Sequence, residues 1–184
     1  MLDAPGLTGL RDAGEARRVL LDDAMRATPL VAENDGPIVD VGSGGGSPGL
    51  PLAVSFPSRS VTLLEAERRK CELLRGFASE LTNVTVVWGR AEEQEPDAFG
   101  LALAKALAKP PVAAELCLPL VRLGGIAILW VGESADEPAV ASVARLLGAQ
   151  VEESPAGLLV LRKTGPTPPG FPRRPGMAKK RPLA

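Results

Sequence analysis

The chain has 184 residues, 45% of them apolar, which suits a single compact α/β domain. No apolar run approaches the about 18 residues of a membrane span, and no signal-peptide pattern is present, so we expect a cytoplasmic protein. The sequence has no histidine and no tyrosine, which excludes histidine-based catalytic triads and removes the commonest general base. The two cysteines, Cys71 and Cys117, lie far apart in predicted helices, so we expect reduced core thiols and neither a metal site nor a redox pair.

Charge is distributed unevenly along the chain, although the net charge is only −1. The stretch from residue 162 to the end contains no acidic residue and seven basic ones: Arg162, Lys163, Arg173, Arg174, Lys179, Lys180 and Arg181. A basic, proline-rich tail on an acidic body suggests contact with a polyanion. The alternative is a solvated tail that binds nothing.

The N-terminal part of the chain predicts one helix before the first strand. Residues 1–10 have an irregular pattern with proline and glycine. From Glu15 to Ala27, apolar residues recur at helical spacing with arginines between them, which predicts an amphipathic helix. A turn at 34–37 then leads into the first strand.

A glycine-rich turn follows that predicted strand, Ile38 to Val41. Five of the eight residues 42–49 are glycines, so the backbone can adopt positive φ and let a ligand approach closely. Pro48 suits the first turn of a helix, and free N–H groups at a helix start favour a carboxylate or phosphate nearby. This strand, turn and helix start predict a cofactor cradle. The alternative is a plain tight turn between a strand and a helix.

The spacing of the glycines indicates which cofactor binds. Dinucleotide-binding folds use Gly-x-Gly-x-x-Gly, whereas Gly42, Gly44 and Gly46 form Gly-x-Gly-x-Gly, preceded by Asp40. This form resembles motif I of the class I S-adenosylmethionine (SAM) methyltransferases. A dinucleotide oxidoreductase is the alternative.

Strands and helices alternate after the glycine turn. The predicted strands are 60–64, 84–88, 101–104 and 126–131, and the predicted helices are 50–55, 68–81, 111–121 and 138–147, with Leu123 to Gly125 as a helix stop. A hairpin of 151–153 and 158–161 follows, and 164–184 is predicted to be extended. Alternating strands and helices with an antiparallel end indicate a Rossmann-like doubly wound α/β sheet. The terminal hairpin favours its methyltransferase variant over the dinucleotide-binding one.

Two charged residues end predicted strands, where the active-site groups of open α/β sheets gather. Glu65 ends the second strand, where a carboxylate can accept hydrogen bonds from both ribose hydroxyls of an adenosine. The alternative is an acid that complements a helix N-terminus. Lys105 ends the fourth strand and is placed for a role beside the reacting groups, unless it is simply an exposed lysine.

Four stretches together resemble the small-subunit ribosomal RNA methyltransferase G family. They are DVGSGGGSPGLPL at 40–52, GRAEE at 89–93, the tail PTPPGFPRRPGMAKKRPL at 166–183, and LTGLRD at 7–12. The resemblance implies a class I SAM-dependent methyltransferase fold in three parts. A short helical segment (1–36) precedes the SAM-binding domain (37–163), and the basic tail (164–184) follows it.

The resemblance also implies a reaction, the transfer of a methyl group from SAM to N7 of a guanosine in small-subunit ribosomal RNA. We expect a monomer without a metal. The residues expected to contact SAM are Gly42, Gly44, Ser47, Glu65, Ala91 and Glu92, and Lys105 occupies the position of a family arginine at the reacting end. Guanine N7 carries a lone pair and no proton, so a site without histidine suits this chemistry. Two alternatives keep SAM: a small-molecule or protein substrate, and a SAM-binding module without catalysis.

Overall fold

The computed structural model describes residues 12–184. The predicted irregular stretch 1–10 and all but the last residue of the LTGLRD segment lie outside the described residues. That last residue, Asp12, caps the first helix, because its carboxylate accepts a hydrogen bond from the Glu15 N–H at 2.8 Å. Within residues 12–184, no helix is long and apolar enough to cross a membrane.

Seven strands form one sheet in the order β3-β2-β1-β4-β5-β7-β6. They are β1 (Ile38–Val41), β2 (Val61–Glu65), β3 (Val84–Trp88), β4 (Phe99–Lys105), β5 (Val121–Trp130), β6 (Ala149–Glu152) and β7 (Leu158–Lys163). Neighbouring strands from β3 to β5 are parallel, whereas β7 runs antiparallel to both β5 and β6. The dinucleotide-binding order is 3-2-1-4-5-6, without a reversed strand inserted. The predicted methyltransferase variant of the doubly wound sheet is therefore confirmed.

Helices cover both faces of the sheet, as the alternating pattern predicts. They are α1 (Ala13–Ala16), α2 (Asp23–Met25), α3 (Thr28–Glu33), α4 (Gly49–Ser55), α5 (Arg68–Phe77), α6 (Pro110–Cys117), α7 (Glu137–Leu146) and α8 (Met177–Lys180). A 3-10 turn follows β3 at Ala91–Glu93, and another follows α6 at Leu118–Leu120. The apolar side chains form one buried cluster between the sheet and α6, α7 and α8, and a second between the sheet and α3, α4 and α5.

The strands β1 and β4 define the place where a ligand site is expected. They are neighbours, but α4, which follows β1, packs on one face of the sheet, and α6, which follows β4, packs on the other. Asp40 of β1 is in register with Leu63 of β2 and Leu103 of β4, so the three carboxyl ends finish at the same edge. Diverging connections leave a crevice at this edge, which is where open α/β sheets bind ligands.

The N-terminal helix predicted from Glu15 to Ala27 is interrupted. A π-helical turn at Arg17–Asp22 separates α1 from α2, and α2 ends at Met25. The short helix α3, which the sequence pattern did not indicate, begins directly before Pro29, a residue that is tolerated in a first helical turn but not inside a longer helix. This segment packs on the body through side chains that include the fully buried Ala24.

The prediction that Leu123 to Gly125 ends a helix is wrong. The helix α6 ends at Cys117, and β5 runs through the two glycines. Gly124 has a φ of +80°, and a Cβ on Gly125 would lie 2.4 Å from the carbonyl oxygen of Gly100 in β4. Gly125 therefore permits close approach of two strand backbones and Gly124 adopts a positive φ, two roles that a sequence pattern does not distinguish from helix termination.

The prediction that the tail, residues 164–184, is extended is only partly right. It folds against the body and contains the short helix α8. Ala178 of this helix is 1% exposed, and Phe171 and Leu183 pack against the same buried cluster as α6.

Both cysteines lie in helices, as predicted, and both are buried. Burial raises the pKa of the Cys71 and Cys117 thiols, so they stay protonated and weakly nucleophilic at neutral pH. Residues 12–184 contain no group of three or more His, Cys, Asp or Glu side chains that could hold a metal ion.

Candidate cofactor and active site

A cavity of about 510 Å³ opens at the carboxyl edge of the sheet, where β1, β2 and β4 end. This volume lies within the range of about 300–1,000 Å³ that is typical of small-molecule sites. All seven residues singled out from the sequence line it: Gly42, Gly44, Ser47, Glu65, Ala91, Glu92 and Lys105. The structure therefore brings together residues that four separate parts of the chain contribute.

The glycine turn holds its shape by bonding to the neighbouring strand. The Gly42 N–H donates to the carbonyl of Leu64 at 2.8 Å, and the Gly44 N–H donates to the Glu65 carboxylate at 2.9 Å. Gly44 has a φ of +52°, and the nearest atom to a Cβ built on it would be 3.8 Å away. A side chain there would project into the cavity that Gly44 lines, so the missing Cβ leaves room for a ligand against the backbone.

Glu65 is prepared to accept further hydrogen bonds. Glu65 is a buried residue, 8% exposed, whose Oε2 accepts a hydrogen bond from the Gly44 N–H and whose Oε1 accepts one from the Glu67 N–H at 2.8 Å. A carboxylate offers about four acceptor positions, so two remain for the two ribose hydroxyls of an adenosine. The alternative role of Glu65, an acid that complements a helix N-terminus, also applies, because Glu65 accepts the N–H of Glu67, the residue that precedes α5. The residues present thus fit the adenosine part of SAM.

Asp40, which leads the glycine motif, is fully buried beneath the turn. Its Oδ2 accepts the Gly49 N–H at 3.0 Å, and its backbone carbonyl accepts the Ser43 hydroxyl at 2.8 Å. Burial raises the pKa of the Asp40 carboxyl to about 7, although the hydrogen bond from Gly49 opposes this shift. Asp40 therefore joins the end of β1 to the start of α4 and does not line the cavity.

The 3-10 turn after β3 forms the opposite wall. Ala91 is 5% exposed, and the Glu92 carboxylate accepts the backbone N–H of Gly176 at 2.8 Å. Gly176 and Lys179 of the tail also line the cavity. The tail therefore forms part of this wall, which the sequence did not indicate.

The N-terminal segment closes the end of the cavity at which Lys105 lies. Ser47 donates its hydroxyl hydrogen to the carbonyl of Leu20 at 2.8 Å, and Lys105 donates to the carbonyl of Val19. Both Val19 and Leu20 line the cavity. The Lys105 side chain is 13% exposed and lies 2.8 Å from Asp23 Oδ2, so it is a paired and largely enclosed cation.

Asp23 is itself fixed from several sides. Arg26 donates to its carboxylate at 2.9 Å, and the indole N–H of Trp130 donates to its backbone carbonyl at 3.1 Å. Burial raises the pKa of the Asp23 carboxyl, but the hydrogen bonds and charges of Lys105 and Arg26 outweigh this, so the net pKa lies below its ordinary value. The carboxylate is ionised at neutral pH and holds the Lys105 ammonium.

Fold and cavity together define the class of protein. The sheet has a reversed β7 beside β5, a glycine turn after β1 and an acidic residue at the end of β2, which is the class I SAM-dependent methyltransferase type. Solved methyltransferases share this fold at low sequence identity. A SAM-dependent O-methyltransferase from Thermotoga maritima superimposes with a TM-score of 0.64 at 14% identity, covering 86% of this chain and 72% of that one. The antibiotic-resistance methyltransferase Kmr gives a TM-score of 0.60 at 15% identity, over 77% of this chain and 93% of that one.

The chain belongs to the rRNA small subunit methyltransferase G family, whose model matches residues 3–156. A ribosomal RNA small subunit methyltransferase G from Synechococcus elongatus is 36% identical, over 96% of this chain and 82% of the relative. The protein of the same name from Pelotomaculum thermopropionicum is also 36% identical, over 99% of this chain and 83% of the relative. The family resemblance of the sequence motifs is confirmed. The function predicted with it, a SAM-dependent methyltransferase acting on small-subunit ribosomal RNA, is confirmed as well. The alternative function left open by the glycine motif, a dinucleotide oxidoreductase, is therefore set aside.

Proposed function

We propose that this protein methylates N7 of a guanosine in small-subunit ribosomal RNA and that SAM binds in the cavity of about 510 Å³. The residues proposed to contact SAM are Gly42, Gly44, Ser47, Glu65, Ala91 and Glu92. The observation that carries this proposal is the position of Glu65 beside a glycine turn, a buried carboxylate that residues 12–184 leave with two acceptor positions to spare.

The chain's own residues support positioning rather than acid–base chemistry. When bound, SAM supplies an electrophilic methyl group on its sulfonium. Guanine N7 presents a lone pair that carries no proton, so no residue has to remove one, and a chain without histidine is sufficient. What the site has to supply is alignment of the two reactants, which by itself can lower a barrier by about 7–11 kcal/mol.

Lys105 is proposed to contact the RNA at the acceptor side of the cavity. Two of its three ammonium hydrogens are directed to Asp23 and to the carbonyl of Val19, which leaves one donor for an RNA phosphate or a guanine oxygen. Lysine acts at such a site as a point charge, without the two-pronged geometry of arginine. We also propose that the protein acts as a monomer in the cytoplasm. Light scattering of the purified chain tests the monomer, which should give a mass near 19.1 kDa.

Glu65→Ala tests the assignment of SAM to this cavity. The variant loses charge-assisted hydrogen bonds, so we expect SAM affinity to fall by about 1.5–3 kcal/mol, or roughly ten- to a hundredfold. Calorimetric titration with SAM measures the effect, and Glu80→Ala, an exposed acid that does not line the cavity, is the matched control. Equal SAM affinity in wild type and Glu65→Ala would remove Glu65 from the site.

The substrate is tested with wild-type protein, labelled SAM and unmethylated small ribosomal subunits. We expect label in the ribosomal RNA, and nuclease digestion with mass spectrometry should recover it as 7-methylguanosine. Label at another guanine atom, or in ribosomal protein, would contradict the proposed reaction.

A further inference from the structure

The tail is attached to the body by polar contacts that lie outside the cavity. Arg173 donates two hydrogen bonds, at 2.6 and 2.7 Å, to the two carboxylate oxygens of Glu115 in α6. Near the start of the tail, Thr167 accepts a hydrogen bond from the ammonium of the buried Lys163 at 2.7 Å, and its hydroxyl donates to Asp97 at 3.0 Å. Two-pronged arginine–carboxylate pairs fix orientation as well as distance. The tail is therefore held in one defined position.

The pair of Arg173 and Glu115 is sensitive to the loss of either member. The Glu115 side chain is 3% exposed and that of Arg173 is 21% exposed. Removing one charge from such a pair leaves the other buried without a partner, which is strongly destabilising. Loss of Arg173 should therefore release the tail around it.

The same segment has two further faces. One reaches the cavity, where Gly176 donates its N–H to Glu92 and where Lys179 forms part of the lining. The other carries the exposed cations Arg174, Lys180 and Arg181. A single rigid stretch of chain thus contacts the cofactor wall and presents positive charge to the outside.

We propose that the docked tail couples SAM binding to ribosomal RNA binding, with Arg173 and Glu115 as the positioning pair. The inference rests on the proposed function, because it assigns SAM to this cavity. Docking holds Gly176 on Glu92 and completes the wall, so SAM favours the docked tail. RNA favours the same docked position, because it can contact these exposed cations and place its guanosine at the cavity at the same time only when the tail is docked beside the cavity. Coupling of this kind is reciprocal: each ligand raises the affinity for the other by the same factor.

Arg173→Met tests the coupling, because it removes the charge and keeps much of the side-chain length. We expect SAM to bind about tenfold more weakly, within the about 5–150-fold range of coupled sites. The matched control is Arg162→Met, which breaks a two-pronged pair with Glu152 at 2.9 and 3.0 Å on the β6–β7 hairpin, away from the cavity. Urea unfolding of both variants measures the loss of stability, and only Arg173→Met should lose SAM affinity.

A second measurement separates positioning from general support of the fold. SAM affinity is titrated with and without small-subunit ribosomal RNA, and the wild type should bind SAM more tightly in its presence. In Arg173→Met the two SAM affinities should become equal, and Arg173→Lys should restore part of the difference. If Arg173→Met does not fold, the double variant Glu115→Gln and Arg173→Gln removes the pair without leaving a buried charge, and it replaces Arg173→Met in both titrations.

The outcomes distinguish this inference from the proposed function. No SAM binding by the wild type, or binding that Glu65→Ala does not weaken, overturns the proposed site. The inference alone is overturned if the wild type binds SAM and methylates ribosomal RNA but an Arg173 variant has the same SAM affinity and the same response to RNA.

Discussion

The role of Lys105 gives the sharpest test of the acceptor side of the site. Lys105→Ala removes the whole ammonium, including the donor that its contacts with Asp23 and Val19 leave for the RNA. A hydrogen bond to a charged group contributes about 1.5–3 kcal/mol, so methyl transfer to RNA should slow by about ten- to a hundredfold. Asp23 retains Arg26 at 2.9 Å in this variant, so its carboxylate keeps a partner. Initial rates of labelled methyl incorporation into small ribosomal subunits measure the effect, with SAM affinity measured separately by calorimetry.

Asp23→Asn distinguishes the two ways in which Lys105 could act. If the ammonium contacts RNA, Asp23→Asn frees one more donor, so the rate stays the same or rises, and Lys105→Arg also stays active. If Lys105 only holds the N-terminal segment in place, Asp23→Asn costs as much as Lys105→Ala, and the double variant is no slower than either. Wild-type rates in Lys105→Ala would refute a role in transfer altogether.

Two further predictions concern a buried acid and the exposed cations of the tail. Burial raises the pKa of Asp40 from its ordinary value of 3.8 to about 7 in the folded chain, so between these two pH values the folded state holds a proton that the unfolded state releases. The stability that this proton provides is lost as pH rises. Between about pH 5 and pH 8, the free energy of unfolding measured with urea should therefore fall by up to roughly 3 kcal/mol more in the wild type than in Asp40→Asn. The same pH dependence in both proteins would contradict this pKa. Replacing Arg174, Lys180 and Arg181 with Gln should weaken RNA binding and reduce the slope of log K against log salt by about 2, at about 0.7 per phosphate contact; an unchanged slope would exclude the tail as a phosphate-binding surface.

The part of the site that binds the cofactor could be predicted because its signals are local. A buried strand, a run of glycines and a helix start occupy one continuous stretch, 38–55. An acid at the end of the next strand falls beside that stretch when the two strands are parallel neighbours, as β1 and β2 are. Glu65 and Gly44 lie 21 residues apart, yet strand order alone brings them into contact. Gly124 and Gly125 show the limit of local signals. Their sequence pattern predicts the end of a helix, but in this fold they lie inside β5, where Gly125 permits close strand packing.

The closing contacts could not be predicted because each depends on one residue pair far apart in the chain. The Lys105 ammonium and the Val19 carbonyl are 86 residues apart, Gly176 and Glu92 are 84 apart, and Arg173 and Glu115 are 58 apart. Such pairs leave no periodic pattern. In the sequence, Asp23 has the pattern of a surface acid and Arg173 that of one more tail cation.

The charge of the tail shows how structure changes the meaning of a composition. Seven basic residues without an acid from residue 162 onward suggest a surface for a polyanion. Three of the seven are used inside the protein, Arg162 on Glu152, Lys163 on Thr167 and Arg173 on Glu115. The positive charge that remains for RNA is therefore smaller than the composition implies, but it is carried by a segment whose position is fixed. A fixed cation loses less conformational entropy on contact with phosphate than a cation on a free tail. If the tail binds RNA as proposed, docking lets these few charges hold the RNA in one orientation relative to the cofactor cavity.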